Sequence, residues 1–262
     1  MPSSNLTRIL LVGVGKMGGA LFNGWSHRND LAISTLDPHA ATADYHDPAE
    51  ISSTFDIVLL AVKPQVMAEI ASSLRPLLTP STLVLSIAAG KTIAFFEDLF
   101  GRDHPVIRVM PNTPALVGKG MSVLCGNAAT TERQRQTAMT LMAAVGDAEW
   151  IDDERLMDAV TALSGSGPAY LFHLIEAMTA AGITAGLSPA LSEKLARQTV
   201  IGAAALADNQ SSTSAATLRQ NVTSPGGTTE AALNILMDHN TGLTPLLTTA
   251  ILAAKKRSVD LG

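Results

Sequence analysis

The sequence is poor in the residues that several common kinds of functional site require. It contains one cysteine, Cys125, which excludes an internal disulfide and a cysteine-based zinc cluster. Aromatic residues make up 4% of the chain, and 23 acidic residues outnumber 18 basic ones, giving a net charge of −5. These values argue against nucleic acid as a partner, since stacking platforms and a basic stripe are lacking. The six histidines have no paired ligand spacing, so we predict no metal site.

Charged residues are scarce, at 16%, whereas hydrophobic residues reach 47% and the mean hydropathy is +0.25. This excess of apolar side chains must be buried in a membrane or between subunits. A membrane-spanning helix needs about 20 uninterrupted apolar residues, and the best candidate, 168–187, contains His173 and Glu176. We therefore expect burial between subunits. Residues 1–8 are polar and do not resemble a signal peptide, which predicts a cytoplasmic protein.

The first half of the sequence alternates between short apolar runs and helix-like segments. Strand-like runs occur at 8–12, 31–36, 56–62, 82–87, 106–109, 122–125 and 149–151. The run at 56–62 is almost continuously apolar, as expected for a strand covered on both faces. Strands separated by helices predict an α/β Rossmann-type, parallel, doubly wound sheet. Cys125 ends one of these runs, and we expect it to be a buried structural thiol.

After about residue 152 the strand-like runs stop. The remainder is rich in alanine and leucine and is interrupted by turn-like segments at 164–168, 186–189, 208–214, 224–227 and 241–245, which predicts five or six helices. The segment 196–207 is apolar nearly all round, as in a helix buried on every side. We therefore predict a sheet domain at 1–152 and an all-α domain at 153–262, which forms an intertwined homodimer.

A glycine-rich turn joins the first predicted strand to the first predicted helix. Its residues are Gly13-Val14-Gly15-Lys16-Met17-Gly18. Gly13 permits a tight turn, Gly15 lets the backbone approach a pyrophosphate, and Gly18 lets the helix pack closely on the strand. Because the motif stands between a strand and a helix, we predict a dinucleotide site here, which includes Lys16 and Met17, rather than an ordinary glycine-rich turn.

Asp37 follows the second predicted strand, about 20 residues after Gly18. An aspartate at this distance accepts hydrogen bonds from the adenosine ribose and repels a 2′-phosphate, which favours NADH over NADPH. His39 lies close enough in sequence to offset part of that repulsion. The alternative interpretation is that Asp37 is only a turn residue before Pro38.

Three further segments follow predicted strands at the edge where open α/β sheets bind ligands. They are Ala61-Val62-Lys63-Pro64, the segment 86–90 around Ala88, and Asn112-Thr113 between two prolines. We predict that residues 61–64 and Ala88 line the cofactor. Lys63 either touches phosphate or ribose or is an ordinary solvated lysine. Asn112 either points at the nicotinamide or belongs to a merely structural loop.

A second glycine turn, at 222–229, carries four hydroxyl side chains and precedes a predicted helix at 230–236. The start of a helix offers free backbone N–H groups and the positive end of the helix dipole, so this turn suits a small carboxylate. Together, the two glycine turns predict an enzyme that brings a small acid to a dinucleotide.

Several motifs occur in a fixed order along nearly the whole chain. They lie at 13–18, 61–64, 86–90, 108–114, 164–170, 175–178, 195–199 with 202–204, and 222–229. In this combination the sequence resembles the pyrroline-5-carboxylate reductases. The last motif, Val222-Thr-Ser-Pro-Gly-Gly-Thr-Thr229, is the most specific.

The resemblance implies a Rossmann domain followed by a helical dimerisation domain, often assembled further into rings of dimers. It implies reduction of 1-pyrroline-5-carboxylate to L-proline with NADPH or NADH. The substrate carboxylate would rest on backbone N–H groups of Gly227, Thr228 and Thr229, in a turn that also contains Ser224 and Gly226. The Thr229 hydroxyl would meet the ring nitrogen, and catalysis would depend mainly on placement, because the cofactor carries the chemistry.

Two segments depart from the family pattern. Residues 36–38 read Leu-Asp-Pro, where NADPH-using members commonly carry small polar or basic residues, and 209–217 lacks an expected His-Pro. Two rival interpretations fit less well. A β-hydroxyacid dehydrogenase would need a lysine soon after the glycine turn at 164–167, and none follows; a cofactor-sensing scaffold would predict a damaged turn, whereas 224–229 is intact.

Overall fold

The first half of the chain forms a single seven-stranded sheet in the computed structural model, which describes residues 6–261. The strands are β1 Thr7–Val12, β2 Leu31–Leu36, β3 Ile57–Leu60, β4 Leu83–Ser86, β5 Val106–Met110, β6 Gly120–Gly126 and β7 Gly146–Trp150. Their spatial order is β2-β1-β3-β4-β5-β6-β7. This architecture confirms the predicted Rossmann-type sheet. Residues 1–5, part of the segment on which the signal-peptide interpretation depends, lie outside the described residues.

Helices cover both faces of this sheet. They are α1 Lys16–Trp25, α2 Met67–Leu74, α3 Ile93–Phe100 and α4 Glu132–Ala143. Successive strand residues point to opposite faces, so Ile9 and Leu11 of β1 belong to a core with α1 and α4, whereas Leu10 and Val12 belong to a core with α2 and α3. Burial on both faces explains why the β3 segment is almost continuously apolar.

The sheet is parallel from β1 to β5 and then reverses direction. β6 pairs with β5 antiparallel, and β7 pairs with β6 in parallel. The predicted sheet was parallel throughout, but the connection from β5 to β6 contains only a 3₁₀ turn, Thr113–Val117. A parallel crossover requires a dozen or more residues, usually a helix, whereas a short connection is enough for antiparallel strands.

The sheet unit contains a largely buried ion pair between β5 and the segment after β7. Arg108 of β5, whose side chain is 5% exposed, donates to Glu154 Oε1 at 2.9 Å, and the same oxygen accepts the N–H of Ile93 at the start of α3. Cys125 lies opposite Arg108 on β6. Burial raises the pKa of the Cys125 thiol to about 11, with a smaller contribution from the Glu154 charge. The thiol is free and buried, as predicted.

The second half of the chain is helical, as predicted. Its helices are α5 Met157–Val160, α6 Gly167–Thr184, α7 Pro189–Asn209, α8 Ala215–Asn221, α9 Thr228–Leu236 and α10 Leu243–Leu261. A π-helical turn, Thr161–Gly165, follows α5 directly. None of the helices within 6–261 is long and apolar enough to cross a membrane.

The chain divides into two compact units, which we call the sheet unit (1–165 with 254–262) and the helical unit (166–253). α5 belongs to the sheet unit because Met157 packs against Ile93, Val123 and Cys125. The sequence placed a boundary at 152/153, where the strands end. The division into a cofactor-binding domain and a dimerisation domain at that boundary stays a prediction.

Apolar side chains of the helical unit are largely exposed. The buried apolar clusters of residues 6–261 all lie in the sheet unit, and only Ser192 and Ala196 are buried along the whole of α7. Large exposed apolar side chains include Phe172, Leu195, Ile201, Ile235 and Leu246. Such a surface is typical of a subunit whose helices are covered by another chain.

Candidate active site

Five predicted cofactor segments lie at one edge of the sheet. Gly13, Asp37 and Ala61 directly follow β1, β2 and β3, while Ala88 and Asn112 come two residues after β4 and β5. Because β1 to β5 are parallel, their carboxyl ends share this edge. Neighbouring segments are joined by backbone hydrogen bonds, including Gly13 N–H to the Leu36 carbonyl and Ala61 N–H to the Val12 carbonyl, both 2.8 Å.

In the first glycine turn, Gly13 and Gly18 are packed against neighbouring backbone, whereas Gly15 faces open space. Gly13 has φ +94°, and a Cβ there would lie 2.8 Å from the Ala61 carbonyl oxygen. A Cβ on Gly18 would collide with the Gly13 carbonyl oxygen, whereas a Cβ on Gly15 would have nothing within 4 Å. These surroundings agree with the three glycine roles that the motif predicts, since only Gly15 faces open space.

The start of α1 is suited to an anion. Gly15 is the N-cap and supplies no side chain, so within 6–261 the first N–H groups of the helix, on Lys16, Met17 and Gly18, keep no hydrogen-bond partner. The first turn contains no acidic residue. The Lys16 side chain is exposed. A dinucleotide pyrophosphate fits these donors and the open space at Gly15.

The Asp37 carboxylate is occupied by the backbone. Oδ2 accepts the N–H of Val14 in the glycine turn at 2.8 Å, and Oδ1 accepts the N–H groups of His39 and Ala40 at 2.9 and 3.2 Å. Burial is the largest single influence on this carboxyl and favours its neutral form, but the three N–H donors together outweigh it and leave the pKa below its ordinary value. Asp37 is thus a turn residue that also ties the glycine turn to the end of β2. A carboxylate has about four acceptor positions, so capacity for a ribose hydroxyl remains.

The segment after β3 supplies a second cation. Lys63 is exposed and forms no ion pair with any residue in the described part of the chain. Pro64 begins a 3₁₀ turn leading into α2, with Lys63 as its N-cap. Val62 is half-buried and packs against the core beneath α2, whereas Ala88 is buried, so its side chain is less accessible to a ligand.

Both ends of the Asn112 side-chain amide form hydrogen bonds within the sheet unit. Its Nδ2 donates to the Ser164 carbonyl oxygen and hydroxyl at 3.3 and 3.2 Å, and its Oδ1 accepts the Met121 N–H at 2.8 Å. Asn112 therefore braces β6 against the π-helical turn. These contacts fit the interpretation of Asn112 as part of a structural loop. A role of Asn112 toward the nicotinamide stays a prediction.

The second glycine turn, in the helical unit, is a type II turn. Gly227 N–H donates to the Ser224 carbonyl at 3.0 Å, with Pro225 and Gly226 in the central positions. Gly226 has φ +69°, close to the positive φ that the third residue of this turn requires and that glycine supplies without strain. The turn ends at Gly227, which is the N-cap of α9.

The donors at the start of α9 differ in availability. Gly227 N–H is used inside the turn, whereas the N–H groups of Thr228, Thr229 and Glu230 have no hydrogen-bond partner among residues 6–261. The first bond of the helix is that of Ala231 N–H to the Gly227 carbonyl. A carboxylate would therefore be held by Thr228 and Thr229 rather than mainly by Gly227.

The helices α1 and α9 begin at glycines, whereas several other helices begin at a residue whose side chain caps them. Four other helices, α3, α4, α7 and α8, begin at Thr92, Thr131, Ser188 and Ser214, and each of these side chains accepts a backbone N–H of its own first turn. Gly15 and Gly227 leave those donors unfilled. An uncapped start is not confined to α1 and α9, because α2, α5 and α6 also lack a side-chain cap and α10 begins directly after Gly242. What α1 and α9 add is a predicted ligand-binding motif at the free donors.

Sequence reasoning overlooked one charged residue of the second turn. Glu230 Oε2 accepts the N–H of Gly226 at 2.7 Å. An acidic residue three positions after an N-cap is the spacing of a capping box, but a capping box predicts a bond to the N–H of Gly227, not to that of Gly226.

A cavity of about 1040 Å³ lies elsewhere in the sheet unit. It is lined by residues at the amino ends of strands, such as Thr7, Ile57 and Leu83, so it lies at the edge opposite the predicted cofactor segments. None of the predicted site residues lines it.

Two protein-family models match the chain. One, described as pyrroline-5-carboxylate reductase dimerisation, matches residues 154–261. The other, described as NADP oxidoreductase coenzyme F420-dependent, matches residues 8–90, which contain β1 to β4 and the first glycine turn. The first match begins close to the end of the sheet and the second covers the predicted cofactor segments up to Gly90.

Known proteins resemble the chain over nearly its whole length. A pyrroline-5-carboxylate reductase of Pseudomonas aeruginosa is 42% identical over 97% of this chain and 96% of its own. The structure of one from Coxiella burnetii superimposes with a TM-score of 0.89 at 33% identity, covering 98% and 99% of the two chains. A crystal structure of the Plasmodium falciparum pyrroline carboxylate reductase with NADP bound has a TM-score of 0.82 at 30% identity, with 99% of both chains covered.

Proposed function

The chain belongs to the pyrroline-5-carboxylate reductase family, and we propose that the starts of α1 and α9, which follow the two glycine turns, hold the two anions of that reaction. The protein reduces 1-pyrroline-5-carboxylate to L-proline with NAD(P)H, the last step of proline biosynthesis. The observation that carries our assignment of the site is the pair of glycine N-caps, Gly15 and Gly227, which leave helix N–H groups without internal partners.

The cofactor side of the site depends on the sheet unit. When bound, the reduced nicotinamide supplies the hydride. Gly13, Gly15 and Gly18 shape the turn, the N–H groups at the start of α1 bind the pyrophosphate, and Lys16 adds a positive charge. Residues 61–64 line the adjoining strand end, where Lys63 offers a second unpaired cation.

The substrate side depends on the helical unit. The N–H groups of Thr228 and Thr229 bind the carboxylate, within a turn fixed by Ser224, Gly226 and Gly227. The Thr229 hydroxyl orients the ring nitrogen, whose protonation makes the neighbouring carbon a better hydride acceptor. A hydroxyl is suited to orienting this nitrogen without being a strong acid. Correct placement of reacting groups supplies about 7–11 kcal/mol in favourable cases.

Replacing Thr229 tests its catalytic role. We expect Thr229→Ala to lower kcat about 10- to 100-fold, because one hydrogen bond to the reacting nitrogen is lost, while the dissociation constant for NAD(P)H stays unchanged. Thr229→Ser keeps the hydroxyl and is the matched control. Steady-state oxidation of NAD(P)H with 1-pyrroline-5-carboxylate gives kcat, and fluorescence titration gives cofactor affinity. Unchanged turnover in Thr229→Ala would remove this residue from the mechanism.

The choice between NADH and NADPH is a separate proposal. The loop after β2 contains the carboxylates of Asp37 and Asp44 and no lysine or arginine, and its basic side chains are the histidines His39 and His46. We propose that the enzyme accepts NADH well, because a 2′-phosphate would meet negative charge there. Asp37→Ser should raise kcat/KM for NADPH relative to NADH. A strong preference of the unaltered enzyme for NADPH would contradict this use of Asp37.

The dimerisation family match indicates that the chain oligomerises. We propose a homodimer formed through the exposed apolar helices α6 and α7, in a cytoplasmic enzyme with no nucleic-acid or membrane partner. Exposed Phe172 and Ile201 support this choice of surface. Sedimentation velocity gives the mass of the assembly and also tests whether dimers associate further into a ring.

A further inference from the structure

The Glu230 carboxylate closes onto the turn that is proposed to bind the substrate carboxylate. Its Oε2 lies 2.7 Å from the Gly226 nitrogen and accepts that N–H. Glu230 forms no ion pair with any Lys, Arg or His among residues 6–261, so its negative charge is not compensated locally. An uncompensated negative charge at this position repels an anionic ligand.

The hydrogen bond follows from the geometry of the turn. In a capping box, the acidic residue three positions after the N-cap accepts the N–H of the N-cap itself. Here the N-cap is Gly227, whose N–H already donates to the Ser224 carbonyl. Glu230 therefore bonds to the N–H one residue earlier, on Gly226. A hydrogen bond to an ionised acceptor is stronger than one between neutral groups, so it holds the left-handed Gly226 in place.

The charge of Glu230 opposes the same ligand that the turn attracts. The three free N–H donors belong to Thr228, Thr229 and Glu230 itself. At a rise of 1.5 Å per residue, an anion bound to them lies within roughly 10 Å of the Glu230 side chain. This distance is about one Debye length at 0.1 M salt, so the repulsion is only partly screened.

We propose that Glu230 is a positioning residue with two opposing effects on the anionic substrate. Its hydrogen bond to Gly226 orients the turn and its free donors, while its charge weakens carboxylate binding. Substrate and product carry the same carboxylate, so the charge also favours release of proline. The inference rests on the proposed function, because it takes the turn at 224–229 as the carboxylate site.

Glu230→Gln isolates the charge, because glutamine keeps an oxygen for the Gly226 N–H. We expect KM for 1-pyrroline-5-carboxylate to fall about two- to sixfold, with kcat unchanged unless product release limits turnover, in which case kcat falls too. KM for 1-pyrroline, the same ring without the carboxylate, should not change. Glu193→Gln removes one exposed charge from α7 of the same unit and is the matched control, with KM unchanged for both imines.

Glu230→Ala isolates the hydrogen bond, since it has the same charge as Glu230→Gln but no acceptor. We expect its KM for 1-pyrroline-5-carboxylate to exceed that of Glu230→Gln about two- to tenfold. Hydrogen exchange of the Gly226 amide should be faster in Glu230→Ala than in Glu230→Gln. This readout reports the contact itself and does not depend on activity.

The outcomes separate this inference from the function beneath it. If the unaltered protein does not reduce 1-pyrroline-5-carboxylate, the proposed function fails. If it does, but Glu230→Gln leaves KM unchanged or lowers KM equally for both imines, the charge effect is overturned. Equal KM values and equal Gly226 exchange in the Gln and Ala variants would overturn the positioning effect.

Discussion

The positively charged side chain of Arg108 is buried beside the sheet, and its surroundings determine how much a substitution there lowers the free energy of unfolding. The side chain is 5% exposed and its partner Glu154 is 26% exposed, with 2.9 Å between Nη1 and Oε1. Removing one partner of such a pair leaves the other charge buried without compensation, which costs far more than the net contribution of the pair. Neither residue belongs to the predicted site, so we expect them to act on stability.

Glu154→Gln tests this interpretation. Glutamine keeps an oxygen for the Ile93 N–H but cannot neutralise Arg108, so we expect the free energy of unfolding to fall by about 3 kcal/mol, the lower end for a buried pair, because Glu154 is partly exposed. Urea denaturation at fixed protein concentration measures the change. Glu149→Gln, an exposed charge on β7, is the matched control. A loss below about 0.5 kcal/mol, typical of surface pairs, would contradict the assignment.

Single residues also mark how far the sequence could predict the site. The surroundings of Gly13, Gly15 and Gly18 were predictable because they follow from backbone geometry alone, whereas their contact with a cofactor stays a prediction. The contacts of Asn112 and Glu230 were not, because each depends on a partner positioned by the fold or by an irregular turn: Asn112 meets Ser164 from a π-helical turn, and Glu230 meets a Gly226 amide left free by the type II turn.

At the scale of secondary structure, the residue at which a helix begins determines how many N–H groups of its first turn stay free for a ligand. A Ser, Thr, Asp or Asn N-cap satisfies one of the free N–H groups of the first turn, and a glycine does not. α1 and α9 therefore keep their donors available at some cost in stability. Such a loss of stability is common at binding sites, where polar groups stay without a hydrogen-bond partner until the ligand binds.

Gly15→Ser tests the trade-off in α1. The backbone at Gly15 has φ −71°, and a Cβ would meet nothing within 4 Å, so serine fits without strain. We expect its hydroxyl to cap the helix and compete with the pyrophosphate, raising the dissociation constant for NAD(P)H about tenfold. Gly15→Ala, which adds bulk without an acceptor, should be less stable than Gly15→Ser by about 1 kcal/mol. Fluorescence titration and thermal unfolding measure the two effects, and unchanged cofactor affinity in Gly15→Ser would contradict the role of the uncapped start.

Elements were predictable where burial leaves a repeating pattern. The strands β1 to β6 were located from apolar runs, and β2 was predicted with its observed bounds, Leu31–Leu36. The segment predicted at 149–151 overlaps β7, Gly146–Trp150, at only two residues, because β7 is not an apolar run. The reversal at β6 was not predicted, because apolar pattern carries no information on strand direction. The only clue was the short connection after β5, whose length favours an antiparallel neighbour.

At the scale of the whole molecule, the distribution of apolar residues differs between the two compact units. The sheet unit buries its apolar side chains in three clusters, whereas α6 and α7 of the helical unit leave theirs exposed. Composition alone predicted an excess that must be buried between subunits. The sequence also singled out two apolar segments, 168–187 and 196–207, which lie largely in α6 and α7. The face of each helix that meets a partner was not predictable, because a helix apolar all round has no distinct face to assign.

Dilution tests whether the stability of the fold depends on association with a second copy of the chain. A homodimer gains stability by mass action, so we expect the melting temperature to fall over a roughly hundredfold dilution. Ile201→Asp, which places a charge on the exposed apolar surface of α7, should shift the assembly toward the single chain in sedimentation velocity. Ser73→Asp adds the same charge to α2 of the sheet unit and is the control. A melting temperature independent of concentration, with Ile201→Asp still assembled, would contradict this surface.

The exposed apolar helices α6 and α7 also affect what happens to a newly synthesised chain before it assembles. Until it meets another copy, each polypeptide leaving the ribosome presents apolar helices to every protein around it, the condition under which aggregation and proteolysis compete with folding. Encounter between two copies is second order in their concentration. The yield of active enzyme should therefore rise more steeply than the rate of synthesis when expression is low, and chaperones should matter most in that regime.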